Sequence, residues 1–389
     1  MNAAVIGASS ESIYAINAAH GLGLKVTALD GDKNAPGLGH ADAPFVADIR
    51  DASIVAGILD EHRPDIILPV PIGRYLIASG SMNDRYDLKG VSFKSADLCT
   101  DKYAFHCALS AKGLRSAKVS LFPAGSVSAD TDSFSFPLVA KPRYGSGSRG
   151  VEIFSDAAEL NKCFLSAAPY DEDYIIEECA EGDEYGVDGI YTGGRFQLIL
   201  LRKKLITPPP YRQCVAYFSV PEDSPFKNRV ADLLQECGET LGLRDCVMHA
   251  DIIRTASDDP FVIELSPRPS GHNLHNLFTP LSTGVDEVAA FIRYALGMEY
   301  NIKPAVCEPM MIAYFDMTGR VTSVPEESLI RSKYPVMDYK CHITPGMELG
   351  SVKDGHSLMG RGYYILKAAD RETLNRYSLE LKAEFEVEN

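Results

Sequence analysis

Basic side chains are the scarce charge in this chain: 38 Lys and Arg stand against 53 Asp and Glu in 389 residues, a formal net charge of −15. That balance argues against general nucleic-acid binding and against adhesion to anionic membranes. An anionic substrate would need a locally positive pocket. No Cys-x-x-Cys occurs among the nine scattered cysteines (Cys99, Cys107, Cys163, Cys179, Cys214, Cys237, Cys246, Cys307 and Cys341). An odd count in a large chain points to reduced core residues, not a disulfide framework or a zinc site. No apolar run approaches the roughly 20 residues of a membrane span. The N-terminal residues lack the basic segment of a secretory signal, so a cytoplasmic location is the expectation. Internal repeats and low-complexity segments are also missing.

What is present is ordinary globular composition, with 46% hydrophobic residues, in a chain long enough for several cores. Its length suggests roughly two to four units. Strand-like runs at 3–7, 25–30, 45–48 and 65–70 alternate with helical stretches such as 12–20. This is the signature of parallel βαβ winding, so residues 1–95 are expected to form a Rossmann-like domain. The first turn, Gly7-Ala8-Ser9-Ser10, lacks Gly-x-Gly-x-x-Gly, which speaks against a dinucleotide there. As a helix N-terminus it is still the kind of place that holds an anion such as a substrate carboxylate. Residues 99–113 read as one helix, capped by Thr100 or Asp101 and stopped by Gly113. Residues 226–241 read as a strong amphipathic helix, 285–296 and 371–385 as two more, and the segment beyond 304 as short strands and turns.

Two acidic residues occupy an informative pattern. Residues 249–254 and 261–268 are strand-like, and Thr255-Ala256-Ser257-Asp258-Asp259-Pro260 between them is turn-rich. A hairpin with 256–259 as its loop places Asp251 directly opposite Glu264, with Cβ atoms about 4.5–5.5 Å apart on one face. Alternation adds Ser266 and Arg268 to that face. Opposed like charges destabilise a sheet unless something neutralises them, and a hard divalent cation shared with phosphate oxygens does so.

A phosphate-binding loop is the second feature. After a strand ending at Lys141 come Gly145, Ser146, Gly147, Ser148, Arg149 and Gly150. Glycine permits positive φ and close backbone approach, so successive N–H groups can cradle an anion. No Gly-Lys-Ser or Gly-Lys-Thr follows, so this is not a Walker loop. The strand-like 174–178 runs into an acidic linker. Its main-chain groups can pair with an adenine edge, and Glu184 can accept from ribose hydroxyls. A basic stretch, 201–212, suggests an anion nearby, either a triphosphate or a substrate carboxylate.

Taken in order, these pieces resemble the ATP-grasp superfamily. The Gly7 turn, Ala28-Leu29-Asp30-Gly31-Asp32, Gly37 and Ala41-Asp42 look like its N-terminal domain. Thr100-Asp101-Lys102 looks like its first phosphate lysine, and Lys141 with 145–150 like the second lysine and mobile loop. Glu177-Glu178-Cys179-Ala180 looks like the adenine hinge and Glu184 like the ribose carboxylate. Asp251 and Glu264-Leu265-Ser266-Pro267-Arg268 look like the metal motif, usually Glu-x-Asn-Pro-Arg. Ser266 departs from that asparagine. Gly271-His272-Asn273-Leu274-His275, Gly346, Gly350 and Met359-Gly360-Arg361-Gly362-Tyr363 are similar to L-amino acid ligases and other carboxylate–amine ligases. A single synthetase unit of a carbamoyl-phosphate synthase large subunit is also similar, and biotin carboxylase is a poorer match.

The resemblance implies α/β and α+β architecture. A Rossmann-like domain (1–95) precedes an ATP-grasp fold of two α+β subdomains clamping ATP, a lid with its linking helix (96–182) and a central metal-bearing subdomain (183–303). A C-terminal mixed β subdomain (304–389) follows. It implies ATP with Mg²⁺, or Mn²⁺ in its place, held by Lys102, Lys141, the glycine loop, Asp251, Glu264 and Ser266. It also implies small-molecule carboxylate and amine substrates joined through an acyl phosphate, with Lys141 and Arg268 serving the reaction. A homodimer is the commonest symmetric assembly for such a chain. Two other readings share the motifs. One is a carbamoyl-phosphate-synthase-like kinase acting on bicarbonate or a small carboxylate, and the other is a nucleotide binder without catalysis.

Overall fold

Short apolar runs near the N-terminus are buried on both faces, the condition for a parallel sheet. Strands β1 (Asn2–Ile6), β2 (Lys25–Asp30), β3 (Ala43–Val46) and β4 (Ile66–Ile67) pair in parallel in the order β3-β2-β1-β4. The helix Ser12–Gly21 buries Ala15, Ile16 and Ala19 against this sheet. The structure, a computed structural model, describes residues 1–126, 131, 133–145, 147, 150–166, 172–208, 212–221 and 224–388. Ser146, Ser148 and Arg149 of the glycine loop lie outside the described residues.

The linking region differs from the expected single helix over 99–113. Two helices, Phe93–Thr100 and Lys102–Ser110, meet at Asp101. The Asp101 carboxylate accepts the N–H groups of Tyr103 and Ala104, both at 3.1 Å, and so starts the second helix afresh. A small antiparallel sheet follows, made of β5 (Val119–Phe122), β6 (Leu138–Pro142), β7 (Glu152–Phe154) and β8 (Tyr174–Glu178) in the order β5-β8-β6-β7. It has a core of its own around Phe122, Leu138, Phe154, Leu160 and Ile176.

The largest sheet is antiparallel and takes strands from both the central and the C-terminal segments. Its members are β9 (Asp183–Thr192), β10 (Arg195–Ile206), β11 (Cys214–Ser219), β12 (Cys246–Arg254) and β13 (Pro260–Ser266), with β14 (Met310–Tyr314), β16 (Val336–Cys341) and β18 (Gly362–Lys367). The order is β13-β12-β9-β10-β11-β14-β18-β16, so the proposed division at 303/304 runs through one continuous sheet. Strands β15 (Gly319–Ser323), β17 (Glu348–Leu349) and β19 (Glu386–Glu388) form a small separate sheet. One core joins Val5, Val26 and Leu68 of the N-terminal domain to Ile199, Val247, Phe278 and Ile312, so the N-terminal sheet and the large sheet pack as one body. Among the described residues no helix is long and apolar enough to cross a membrane.

The amphipathic helix expected at 226–241 is present as Pro225–Leu241, capped by Ser224 and closed by Gly242 at φ 73°. It supports the back of the large sheet through Phe226, Val230, Leu234 and Cys237. Gly238 within it faces Tyr191, and a Cβ there would lie 2.3 Å from the ring. Glycine-to-alanine changes inside helices normally stabilise by about 1 kcal/mol. Gly238→Ala should do the reverse, costing about 1–3 kcal/mol through overpacking, read by urea denaturation.

Candidate active site

The hairpin of β12 and β13 is the site's frame. Asp251 pairs with Glu264, Ala250 with Leu265 and His249 with Ser266, as the sequence predicts. The closing turn does not follow the prediction. Arg254 pairs with Pro260, and Thr255 closes on Asp259 at 3.0 Å, one residue short of the expected loop. A bulge between Asp251 and Ile252 absorbs the difference and restores the register where the carboxylates stand. Among the described residues Glu264 has no ion-pair partner. Asp251 does: Lys204 Nζ lies 2.6 Å from its Oδ2. Burial alone would raise the Asp251 carboxyl, but Lys204 outweighs it and keeps the acid ionised.

Strand β6 carries Lys141 into the interior, where it is 5% exposed. Its ammonium meets Glu177 Oε1 at 2.7 Å, a contact set by the antiparallel pairing of β6 with β8. Buried His106 stands 3.3 Å from the other Glu177 oxygen, close but not aligned as a hydrogen bond. Burial pushes the Glu177 carboxyl up, yet Lys141 and His106 hold it down at about 2. The Glu177 carboxylate is thus engaged by Lys141. The Cys179 N–H is taken by Pro137 O at 3.0 Å. Among the described residues the Ala180 N–H has no protein partner.

Lys102, in the first turn of its helix, donates to the carbonyl of Gly145 at 2.7 Å and so ties the glycine loop to the linking helices. Arg143 braces the same corner, 2.6 Å from Asp101 and 3.1 Å from Asp173. Glu184 at the start of β9 pairs with Arg212 at 2.6 Å. Strand alternation explains the basic stretch: Arg202, Lys204 and Ile206 of β10 face the cavity, whereas Lys203 turns away to Asp183.

These groups line one cavity of about 560 Å³. Its lining includes apolar side chains (Val139, Ile153, Ile206, Ile253, Phe261, Ile263), the segment 178–180, Glu184, Lys102, Lys141 and Lys204, and the carboxylates of Asp251 and Glu264. That set suits a flat heterocycle, a polyol, a polyanion and a hard cation. Gly145 and Gly147 line the same cavity, but Ser266 does not. Among the described residues no cluster of three or more His, Cys, Asp or Glu is arranged to hold a metal. The fit is thus to an ion taking two carboxylates and completing its shell with phosphate oxygens and water, which suits Mg²⁺.

The sequence reading passed over several residues of this wall. Lys204 and Arg202 carried a signal in their alternation within a basic run. Glu11 and Ser270 carried none, because each reaches the cavity through long-range packing. Gly271-His272-Asn273-Leu274-His275 leads into a π-helical turn, Leu274–Phe278, with His272 and Asn273 at φ 61° and 58°. Non-glycine residues in this left-handed region cost energy and concentrate where a wall must be shaped. His272 O accepts from Tyr314 OH at 2.6 Å and His272 N–H donates to Glu11 at 2.7 Å, so this turn joins the N-terminal domain to the large sheet. In the Gly7 turn the Ala8 N–H is bonded to Asp30 at 2.6 Å, and Glu11 stands at the start of the following helix.

Residues 134–275 match the family model of the ATP-grasp domain. The chain carries an ATP-grasp domain on the ATP-grasp fold, as its motifs implied. An uncharacterized protein of Sinorhizobium fredii is 26% identical over 322 residues, covering 76% of this chain and 62% of that protein. Alanine–anticapsin ligase of Bacillus subtilis is 24% identical over 290 residues, covering 67% and 56%. The chain therefore aligns with about three-fifths of the length of these relatives. The L-amino acid ligase structure from Bacillus licheniformis superposes with a TM-score of 0.79 at 18% identity, covering 100% of this chain and 98% of that one. The ADP complex of N5-carboxyaminoimidazole synthetase from Staphylococcus aureus gives 0.73 at 13% identity, covering 98% and 96%. At such identities these two likenesses establish the fold.

Proposed function

We propose that the protein is an ATP-dependent carboxylate–amine ligase that forms an amide through an acyl phosphate. The observation that carries this reading is one cavity lined together by Lys102, Lys141, Lys204, Asp251, Glu264 and Arg268. A substrate carboxylate oxygen attacks the γ-phosphorus and ADP leaves. An amine nitrogen then attacks the acyl carbon, phosphate departs, and the nitrogen loses a proton. Lys141 and Lys102 hold the phosphates in line, and the glycine loop covers them. Arg268, half-buried on the same cavity, stabilises the negative charge that develops as the acyl phosphate forms and collapses. Mg²⁺ held by Asp251 and Glu264 would neutralise the phosphate charge. Acyl phosphates hydrolyse, so exclusion of water matters as much as positioning. The ligase relatives support this chemistry.

The test is Mg²⁺-dependent phosphate release with pairs of amino acids and small carboxylates, with products read by mass spectrometry. ADP, phosphate and a condensed product are expected; AMP and pyrophosphate would overturn the acyl-phosphate route. One observation favours a second reading, nucleotide binding without turnover: Lys204 occupies Asp251, and Ser266 stands off the cavity. A nucleotide-induced rise in melting temperature with no ADP formed in any mixture would select it. Ser266→Asn bears on the same point. The longer amide should reach the ion, retain turnover and lower the Mg²⁺ concentration for half-maximal rate by about tenfold. Loss of metal dependence in that variant would remove Ser266 from the metal site.

A further inference from the structure

Arg74 stands in an unfavourable place for a cation. It lies between β4 and the helix Leu76–Tyr86, where the unpaired N–H groups of a helix start disfavour positive charge. The Gly73 carbonyl accepts the Leu76 N–H at 3.0 Å, so the chain turns into the helix at this residue. Its one ion pair among the described residues, with Asp97, spans 4.0 Å between solvent-exposed side chains and is worth little. What holds the guanidinium is an aromatic face. Its carbon sits 3.5 Å from the centroid of the Tyr144 ring. Its Nη1 is shut off from solvent and has no hydrogen-bond partner among the described residues. A cation over a ring face is attracted by the ring quadrupole and needs no hydrogen bond.

Tyr144 stands between Arg143 and Gly145, and both neighbours are tied to Lys102. The Gly145 carbonyl accepts from Lys102 Nζ at 2.7 Å, and the Arg143 carbonyl accepts the Lys102 N–H at 3.2 Å. Gly145 and Lys102 both line the cavity. The Tyr144 hydroxyl donates to Asp101 at 3.2 Å, the same carboxylate that pairs with Arg143 at 2.6 Å. The ring is thus fixed by its hydroxyl to the linking helices and by its face to the N-terminal domain. On the far side of the stack, Pro71, Ile72 and Gly73 line the cavity directly ahead of Arg74. Arg74 and Tyr144 themselves stand off it. A single stack therefore joins the N-terminal wall of the cavity to the corner that orients Lys102.

We propose that Arg74 and Tyr144 are positioning residues for the nucleotide. Arg74 fixes the Tyr144 ring, and the ring fixes the Gly145 carbonyl that orients the Lys102 ammonium toward the phosphates. Affinity for the nucleotide then depends on a pair of side chains that does not touch it. The inference requires a nucleotide in the cavity but no amide formation, so it goes beyond the ligase reading.

The test is calorimetric titration of the full chain with MgADP in a double-mutant cycle, beside melting curves. Arg74→Met keeps the length of the side chain and removes its charge, and Tyr144→Leu removes the ring. Each is expected to weaken MgADP binding about three- to tenfold, the scale of a partly exposed cation–π contact. The double variant is expected to bind no more weakly than the weaker single variant, because both changes remove one interaction. Tyr144→Phe keeps the ring and should bind within about twofold of the parent protein. Additive losses overturn the proposal, since Arg74 would then act on the nucleotide through its charge alone. Parental affinity in Arg74→Met also overturns it. So does a loss in Tyr144→Phe equal to that in Tyr144→Leu, which would assign the effect to the hydroxyl bond with Asp101.

Discussion

Glu264→Gln is expected to leave a folded protein whose ATP-dependent phosphate release is slower by about a thousandfold or more. Glutamine keeps the volume and the strand, so thermal stability should barely change. The reason for so large an effect is the division of labour between the two opposed acids. Asp251 is already bonded to Lys204, whereas Glu264 faces the cavity with no ion-pair partner among the described residues. Glu264 is thus the carboxylate whose charge is free for a cation. The measurement is phosphate release at saturating Mg²⁺ beside a melting curve. Turnover near that of the parent protein would remove Glu264 from the metal site.

The second large effect concerns stability and its pH dependence. Glu177→Gln removes the charge opposite buried Lys141, and breaking a buried pair from one side costs on the order of 3–5 kcal/mol. The Glu177 carboxyl is lowered in the folded protein from an ordinary 4.5 to about 2. A depressed carboxyl contributes stability that is present above its unfolded value and is lost as pH falls through the folded one. In the parent protein that contribution should fade between about pH 4.5 and pH 2. In Glu177→Gln this component should be missing across the window, while stability at neutral pH is already reduced. Urea denaturation at a series of pH values reads both. A variant as stable as the parent at pH 7 would refute the pairing. Glu177→Gln should also weaken nucleotide binding, because Lys141 loses the carboxylate that fixes its position.

The opposed carboxylates were legible because a hairpin has few degrees of freedom, yet the prediction rested on a loop one residue too long. The bulge beside Asp251 cancelled the error, and no local pattern in Phe261-Val262-Ile263-Glu264 announces it. The linking helices show the opposite case. Asp101 is visible as a cap, but the helix before it, Phe93–Thr100, lies almost wholly outside the 99–113 segment that reads as helical. The strand bearing Glu177 was evident, whereas the use of its carboxylate was not. That use depends on β6 lying beside β8, a pairing made across 36 residues of chain. Lys204 and Arg202 were half visible, since a basic run in an acidic chain suggests an anion but alternation has to choose which side chains meet it. Glu11 was invisible, because its place in the cavity depends on how the first domain packs on the large sheet.

The separate core of the four-stranded sheet has a mechanical consequence. The N-terminal sheet and the eight-stranded sheet share buried side chains, so sliding one on the other would tear a packed interior. The sheet of β5 to β8 has its own apolar core, and its links to the rest include the Ser116–Val262 bridge, the Arg143–Asp101 ion pair and the Lys102–Gly145 hydrogen bond. Lys141 and Glu177 both belong to this sheet, so any displacement of it would move the two together.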